Sequence, residues 1–111
     1  MKKIFILIVI SLFFFSANSQ KIFKTKYQYQ ADFSVYIVNY EYQADLCVYV
    51  VNYEYQARDN RGLWFFVNYE YQADKKVYFV DYEYQADLKI YIVNYEYQAG
   101  WKKTSKKHLL Y

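Results

Sequence analysis

The sequence predicts an all-β, single-domain repeat fold, and three observations carry that expectation. The phrase Tyr-Glu-Tyr-Gln-Ala begins at Tyr40, Tyr53, Tyr69, Tyr82 and Tyr95, with a variant, Tyr-Gln-Tyr-Gln-Ala, at Tyr27. The steps between copies are 13, 13, 16, 13 and 13 residues, the mark of one structural unit stacked on itself. Between the phrases run β-branched and aromatic residues, with no helical three–four spacing and no proline anywhere in the chain.

The chain opens on a different kind of segment. Lys2 and Lys3 precede an apolar run from Ile4 to Phe15, broken only by Ser11, and "SANSQ" follows. That order of charge, apolar stretch and small residues predicts an export signal, cut after Ser19. The run is short of the about twenty apolar residues that span a bilayer, so membrane attachment is expected only through an uncut signal. The expected layout is a signal over 1–19, a β-repeat domain over 20–101 and a basic C-terminal tail over 102–111. The expected location is secreted or periplasmic.

Without Lys2 and Lys3, 12 basic residues face 11 acidic ones, a balance that gives no reason to expect nucleic acid as a partner. Lys102, Lys103, Lys106 and Lys107 crowd into the tail, which reads as solvated and frayed; contact with an anionic envelope surface is the alternative. The single cysteine, Cys47, excludes an intrachain disulfide, so stability must come from packing. Ser34, Lys76 and Lys89 occupy the equivalent slot in other copies, which places Cys47 near the surface.

Each unit reads as one strand of about nine residues, as in Val35–Gln43. Alternation then puts Tyr36, Val38, Tyr40 and Tyr42 on an apolar, core-forming face. Val35, Ile37, Asn39, Glu41 and Gln43 take the other face, apolar only in its first half. Strands buried on both sides where they begin and on one side where they end imply about six strands converging on a shared centre. A flat meander with one wet face fits less well. The connectors 31–34, 44–47, 73–76 and 86–89 all begin Ala-Asp and lack glycine, so tight two-residue hairpins are disfavoured. Ala-Asp suits a type I or single helical turn, with the Asp side chain bonding backbone N–H groups. Gly62, the interior glycine, sits in the longer connector "RDNRG", Arg58 to Gly62.

Taken together, the thirteen-residue units ending "YQAD", the long connector followed by "GLWFFV" (62–67) and the terminal "YEYQAGW" (95–101) resemble the 7(1) septoil knot family, a small bacterial domain of unknown function. The resemblance covers roughly Ile22 to Trp101. It implies a compact, closed β-repeat domain threaded into a seven-crossing torus knot. Composition and spacing do not show a knot, and true knots are nearly absent from proteins. The family supplies no catalytic or binding residues to carry over. This chain departs from the pattern at its ends, with the export signal and the lysine-rich tail.

Candidate site residues come from the repeat itself. Glu41, Glu54, Glu70, Glu83 and Glu96, each flanked by tyrosines, could line a surface for sugars or cations. In the structural alternative the tyrosine rings pack, their hydroxyls reach the wet rim, and the glutamines bond the backbone of the next turn. Repetition in every copy favours scaffolding. Glutamates on strands paired in register would need lysine partners, separation or a cation. Calcium wants six to eight oxygen ligands, which one Glu per unit does not supply, so no metal or cofactor is expected. His108 lies in the tail and Cys47 in a connector, with no third residue to orient a base, so no enzyme is expected. Trp64 and Trp101 break the repeat; they fill space where it is interrupted or closed, or form a glycan platform. The expectation is a non-catalytic, monomeric structural or interaction module whose partner is unknown. Its alternatives are a glycan-binding module and a polymerising cell-envelope fibre subunit.

Overall fold

The computed structural model describes residues 19–111; the expected export signal, save Ser19, lies outside the described residues. Seven strands form: β1 (Lys21–Lys24), β2 (Phe33–Ile37), β3 (Leu46–Val50), β4 (Leu63–Phe66), β5 (Lys75–Phe79), β6 (Leu88–Ile92) and β7 (Gly100–Trp101). The all-β repeat class is as expected, but the strands are four or five residues long in the repeat, not nine. The Tyr-Glu-Tyr-Gln phrase is a 3₁₀ turn instead. In the second copy the Gln43 N–H donates to the Tyr40 carbonyl and the Ala44 N–H to the Glu41 carbonyl, each at 3.1 Å. The same turn closes every copy, from Gln28–Gln30 to Glu96–Gln98. Asn, Glu and Gln are weak strand formers, and they halt the strand where the aromatic alternation continues.

The strand order explains both the repeat and its interruption. β1 to β6 form a closed parallel barrel, β4-β1-β5-β2-β6-β3, sealed by pairing of β3 with β4. The first lap, β1 to β3, takes alternate places, and the second lap, β4 to β6, fills the gaps. A walk in steps of two around six places returns to its start after three strands. One odd step is therefore required, and it falls at the β3–β4 connector, the one carrying three extra residues.

Parallel strands ordinarily need long crossovers, because the chain must travel back along the strand it has just made. Here the register shortens that return. Val77 pairs with Lys24 at the end of β1 and with Phe33 at the start of β2. The connector 25–32 has only to cross β5, which lies between them.

The same register stacks the interior in layers. Lys24 pairs at the level of Val77; two residues on, Phe79 pairs with Val35. Two further, Ile37 pairs with Ile90, and Ile92 then pairs with Val48. Val50 pairs with Trp64, and Phe66 pairs with Ile22, two residues before Lys24. Lys24, Phe79, Ile37, Ile92, Val50 and Phe66 thus form one closed layer. The layer below is Ile22, Val77, Val35, Ile90, Val48 and Trp64, every one 0% exposed. Below that lie Gln20, Lys75, Phe33, Leu88, Leu46 and Gly62.

The inward face is therefore Phe33, Val35 and Ile37, opposite to the Tyr36 face expected from the sequence. In the middle layer of this six-stranded barrel, five aliphatic side chains leave room for one large ring. Trp64 supplies that ring. Its indole Nε1 has no partner among the described residues, a loss of about 1–3 kcal/mol. Burying the ring contributes about 4–6 kcal/mol, so the exchange favours tryptophan. β2 begins buried, as expected, with Phe33, Ser34 and Val35 all buried, but it ends exposed at Ile37 where one buried face was expected.

The repeated aspartate starts each ladder, and it does so across units rather than within its own turn. The Asp32 N–H donates to the Lys76 carbonyl at 2.7 Å, and the Lys76 N–H donates to Asp32 Oδ2 at 2.8 Å. Asp45 makes the same exchange with Lys89, Asp74 with Lys21 and Asp87 with Ser34. A carboxylate accepting a backbone N–H is among the stronger hydrogen bonds, and here it locks register between units on different laps.

Non-repeating sequence closes the end of the barrel where the strands begin. The tail is not frayed: Thr104–Leu110 is a 3₁₀ helix, and Leu110 joins the central core cluster. The Gln20 Nε2 donates to the Leu110 carbonyl, the Asn60 Nδ2 to the Lys107 carbonyl, and the Lys106 ammonium to the Asp87 carbonyl. Trp101 Nε1 donates to the Asn60 carbonyl at 2.9 Å, tying β7 to the long connector. Gly62 has φ +89°, and a Cβ there would collide with the Cys47 carbonyl oxygen, so glycine is required.

A rim of tyrosine pairs as the candidate functional site

Each 3₁₀ turn lies over one strand, and each barrel strand is covered by one turn. Gln28–Gln30 covers β5, Glu41–Gln43 covers β6, and Glu54–Gln56 covers β4; the later turns cover β1, β2 and β3 in order. Six turns therefore surround the barrel, and each presents two tyrosines. Tyr40 is extended, with φ −132° and ψ 142°, and Tyr42 lies within the turn, so both rings leave on the outside. Their centroids are 5.8 Å apart and nearly parallel at 17°. The pairs Tyr27–Tyr29, Tyr53–Tyr55, Tyr69–Tyr71, Tyr82–Tyr84 and Tyr95–Tyr97 repeat this stack within 5.6–5.9 Å.

These rings are solvent-facing. Tyr42 is 81% exposed and Tyr84 is 84% exposed; of the residues assigned to the core by alternation, Tyr40 and Tyr42 are surface residues, Tyr36 is half-buried and Val38 is buried. The stack holds the rings against one another rather than against the core. A signal for this lay in the sequence: Glu and Gln on either side of the second tyrosine are residues that stay wet.

The five glutamates sit in the same turns, and four have lysine partners, which relieves their mutual repulsion. Glu70 meets Lys76 at 3.3 Å and Glu83 meets Lys89 at 3.4 Å, six residues on. Glu54 meets Lys21 at 3.1 Å, and Glu41 meets Lys102 at 3.3 Å. Such partly exposed pairs contribute about 0–1 kcal/mol each, so they orient rather than stabilise. Glu96 makes no ion pair among the described residues. The glutamines act within their own turn: Gln56 Oε1 accepts the Tyr53 N–H at 3.1 Å, and Gln98 does the same for Tyr95.

Two sequence candidates change role. Trp64 is wholly buried in the middle layer, so it is not a ligand surface. Trp101 is half-buried and engaged with Asn60, away from the tyrosine turns in its bonding. Cys47 is buried, not near the surface, because β7 pairs directly alongside it at Gly100. Burial pushes the Cys47 thiol up, and the Glu41 carboxylate adds to the effect. His108 is exposed in the tail helix, its Nδ1 3.0 Å from the Ser105 carbonyl. Among the described residues no group of three or more His, Cys, Asp or Glu side chains gathers to hold a metal ion.

A comparison with curated proteins gives no match, and neither does a comparison with solved structures. The family model of the 7(1) septoil knot domain, however, matches residues 19–102. That span runs from the bridge at Ser19 through all six turns to β7. The repeat and the barrel it builds place this chain in the 7(1) septoil knot domain family.

Proposed function

We propose that this protein is an exported, monomeric, non-catalytic binding module whose tyrosine rim holds an extended glycan. The observation that carries the proposal is the set of six stacked tyrosine pairs, solvent-facing and one to each turn. A pure scaffold would gain stability by burying those rings, and the barrel core is complete without them. Tyrosine gives a large, rigid, amphipathic contact at low entropic cost, which suits it to recognition surfaces. The C–H face of a pyranose ring stacks on such a surface. The neighbouring glutamate and glutamine oxygens can accept sugar hydroxyls.

Six like sites of weak individual affinity favour a polymer over a monosaccharide, because linked contacts multiply. Closure of the barrel supports a monomer: β1 to β6 each have partners on both sides, so none offers an edge for a further strand. The buried, pKa-raised Cys47 and the exposed His108 of the tail helix support a role without covalent catalysis. The export reading rests on the charge, apolar and small-residue order at the N-terminus.

The test is affinity electrophoresis of the 20–111 chain through gels containing a panel of soluble neutral and acidic polysaccharides. Retardation by at least one polymer, absent with its monosaccharide and lost in a Tyr42→Ser, Tyr84→Ser, Tyr97→Ser variant, is the expected result. No retardation by any polymer, or retardation that survives the triple change, sinks the proposal.

A further inference from the structure

The layer Lys24, Phe79, Ile37, Ile92, Val50 and Phe66 ends the barrel at the side away from the tail. Its residues face inward, as do the two layers beneath, but no described segment covers them. Ile37 is 48% exposed, Val50 39% and Ile92 38%, values unlike the 0% of the layer below. Lys24, Ile37, Phe66 and Phe79 line a hollow of about 350 Å³, within the range of small-molecule sites. The one charge in this ring is the Lys24 ammonium, 5.0 Å from the centre of the Phe79 ring. Lys24 makes no ion pair among the described residues, and Asp81, two residues past Phe79, does not reach it.

We infer that this barrel mouth binds a small amphipathic carboxylate, its apolar chain against Ile37, Phe66 and Phe79 and its carboxylate on the Lys24 ammonium. Charge complementarity selects the occupant. Anything that covers the ring also strips water from Lys24, and a neutral hydrocarbon leaves that cation uncompensated. A second copy is disfavoured on two grounds. Mouth-to-mouth contact brings two Lys24 ammoniums together, and six side chains fall well short of the about 800 Å² per partner of a stable interface. The site is independent of the tyrosine rim, so the two proposals fail separately.

The experiment titrates the 20–111 chain with octanoate and, in parallel, with 1-octanol, following side-chain methyl resonances by NMR. The expected result is saturable one-to-one binding of octanoate with shifts centred on Ile37, Val50 and Ile92. Lys24→Gln removes the charge while keeping a polar, unbranched side chain, and should weaken octanoate about tenfold while leaving octanol unchanged. Ile37→Asp, with its fold checked by the undisturbed methyls of Val35 and Ile90, should abolish binding of both. Absence of saturation at millimolar octanoate overturns the inference. So do shifts confined to the tyrosine turns, or equal affinity in Lys24→Gln. Mouth resonances broadened without octanoate, together with a dimer mass by light scattering, would show that a second copy fills the mouth instead.

Discussion

The two ends of the barrel use the same strands and repeat-equivalent positions, yet one is sealed and the other is open. At the base, Leu110 is buried against the core, held by bonds from Gln20 and by the Asn60–Lys107 contact of its helix. At the mouth, Ile37, Val50 and Ile92 end the strands with nothing from the described chain above them. The difference lies in what surrounds the repeat. A unit that stacks on copies of itself cannot supply its own lid, and repeat proteins solve this with atypical terminal segments. Here the atypical residues Asn60, Gly62, Trp101 and the 104–110 helix all gather at the base.

The largest expected effect concerns how such a structure forms. The second lap fills the gaps of the first, and the segment that seals the base follows both laps in the chain. We propose that this winding is knotted in the seven-crossing manner of the family's description. Refolding from denaturant, followed by Trp64 fluorescence in a Trp101→Phe background, should take about seconds or longer. Single-phase recovery within milliseconds would count against threading.

Next comes the contrast between the ends. Leu110→Ala leaves a cavity at the sealed base and should cost about 2–4 kcal/mol in urea unfolding. Ile92→Ala, at the open mouth, removes methyl groups already partly in water and should cost about 1 kcal/mol. Equal losses would mean that the ends do not differ as the packing indicates. The smallest effect belongs to the rim: Tyr42→Ala should change stability by no more than about 0.5 kcal/mol. A loss comparable to that of Leu110 would make the tyrosines structural after all.

Much of the architecture is legible in the chain. The repeat, the all-β class and the special place of the 58–62 connector follow from pattern, and closure is what the family resemblance implies. The strand length and the buried face do not. Alternation says which residues share a face, but not which face is inward or where the strand stops. Tyrosine misleads on both counts, because its ring favours strands while its hydroxyl and flat faces tolerate water. The rim was visible only as a string of polar neighbours, Asn39, Glu41 and Gln43, which could equally have been the wet side of a longer strand. The tail reads as solvated because its lysines dominate, while Leu109 and Leu110 decide where it goes.

By itself the sequence determines the level of each residue in the barrel. Lys24, Ile37, Val50, Phe66, Phe79 and Ile92 recur at the repeat's own spacing, and they occupy one layer because every pairing keeps the same register. The three extra residues of the long connector likewise mark the odd step that lets two laps interleave. Only the tertiary structure decides what faces inward. Closing six strands leaves an axis filled by Val, Ile, Leu and Phe side chains around Trp64, so the tyrosines are left outside. The closing contacts, from Asp32 to Lys76 and from Gln20 to Leu110, join residues far apart in the chain, and no local pattern specifies them.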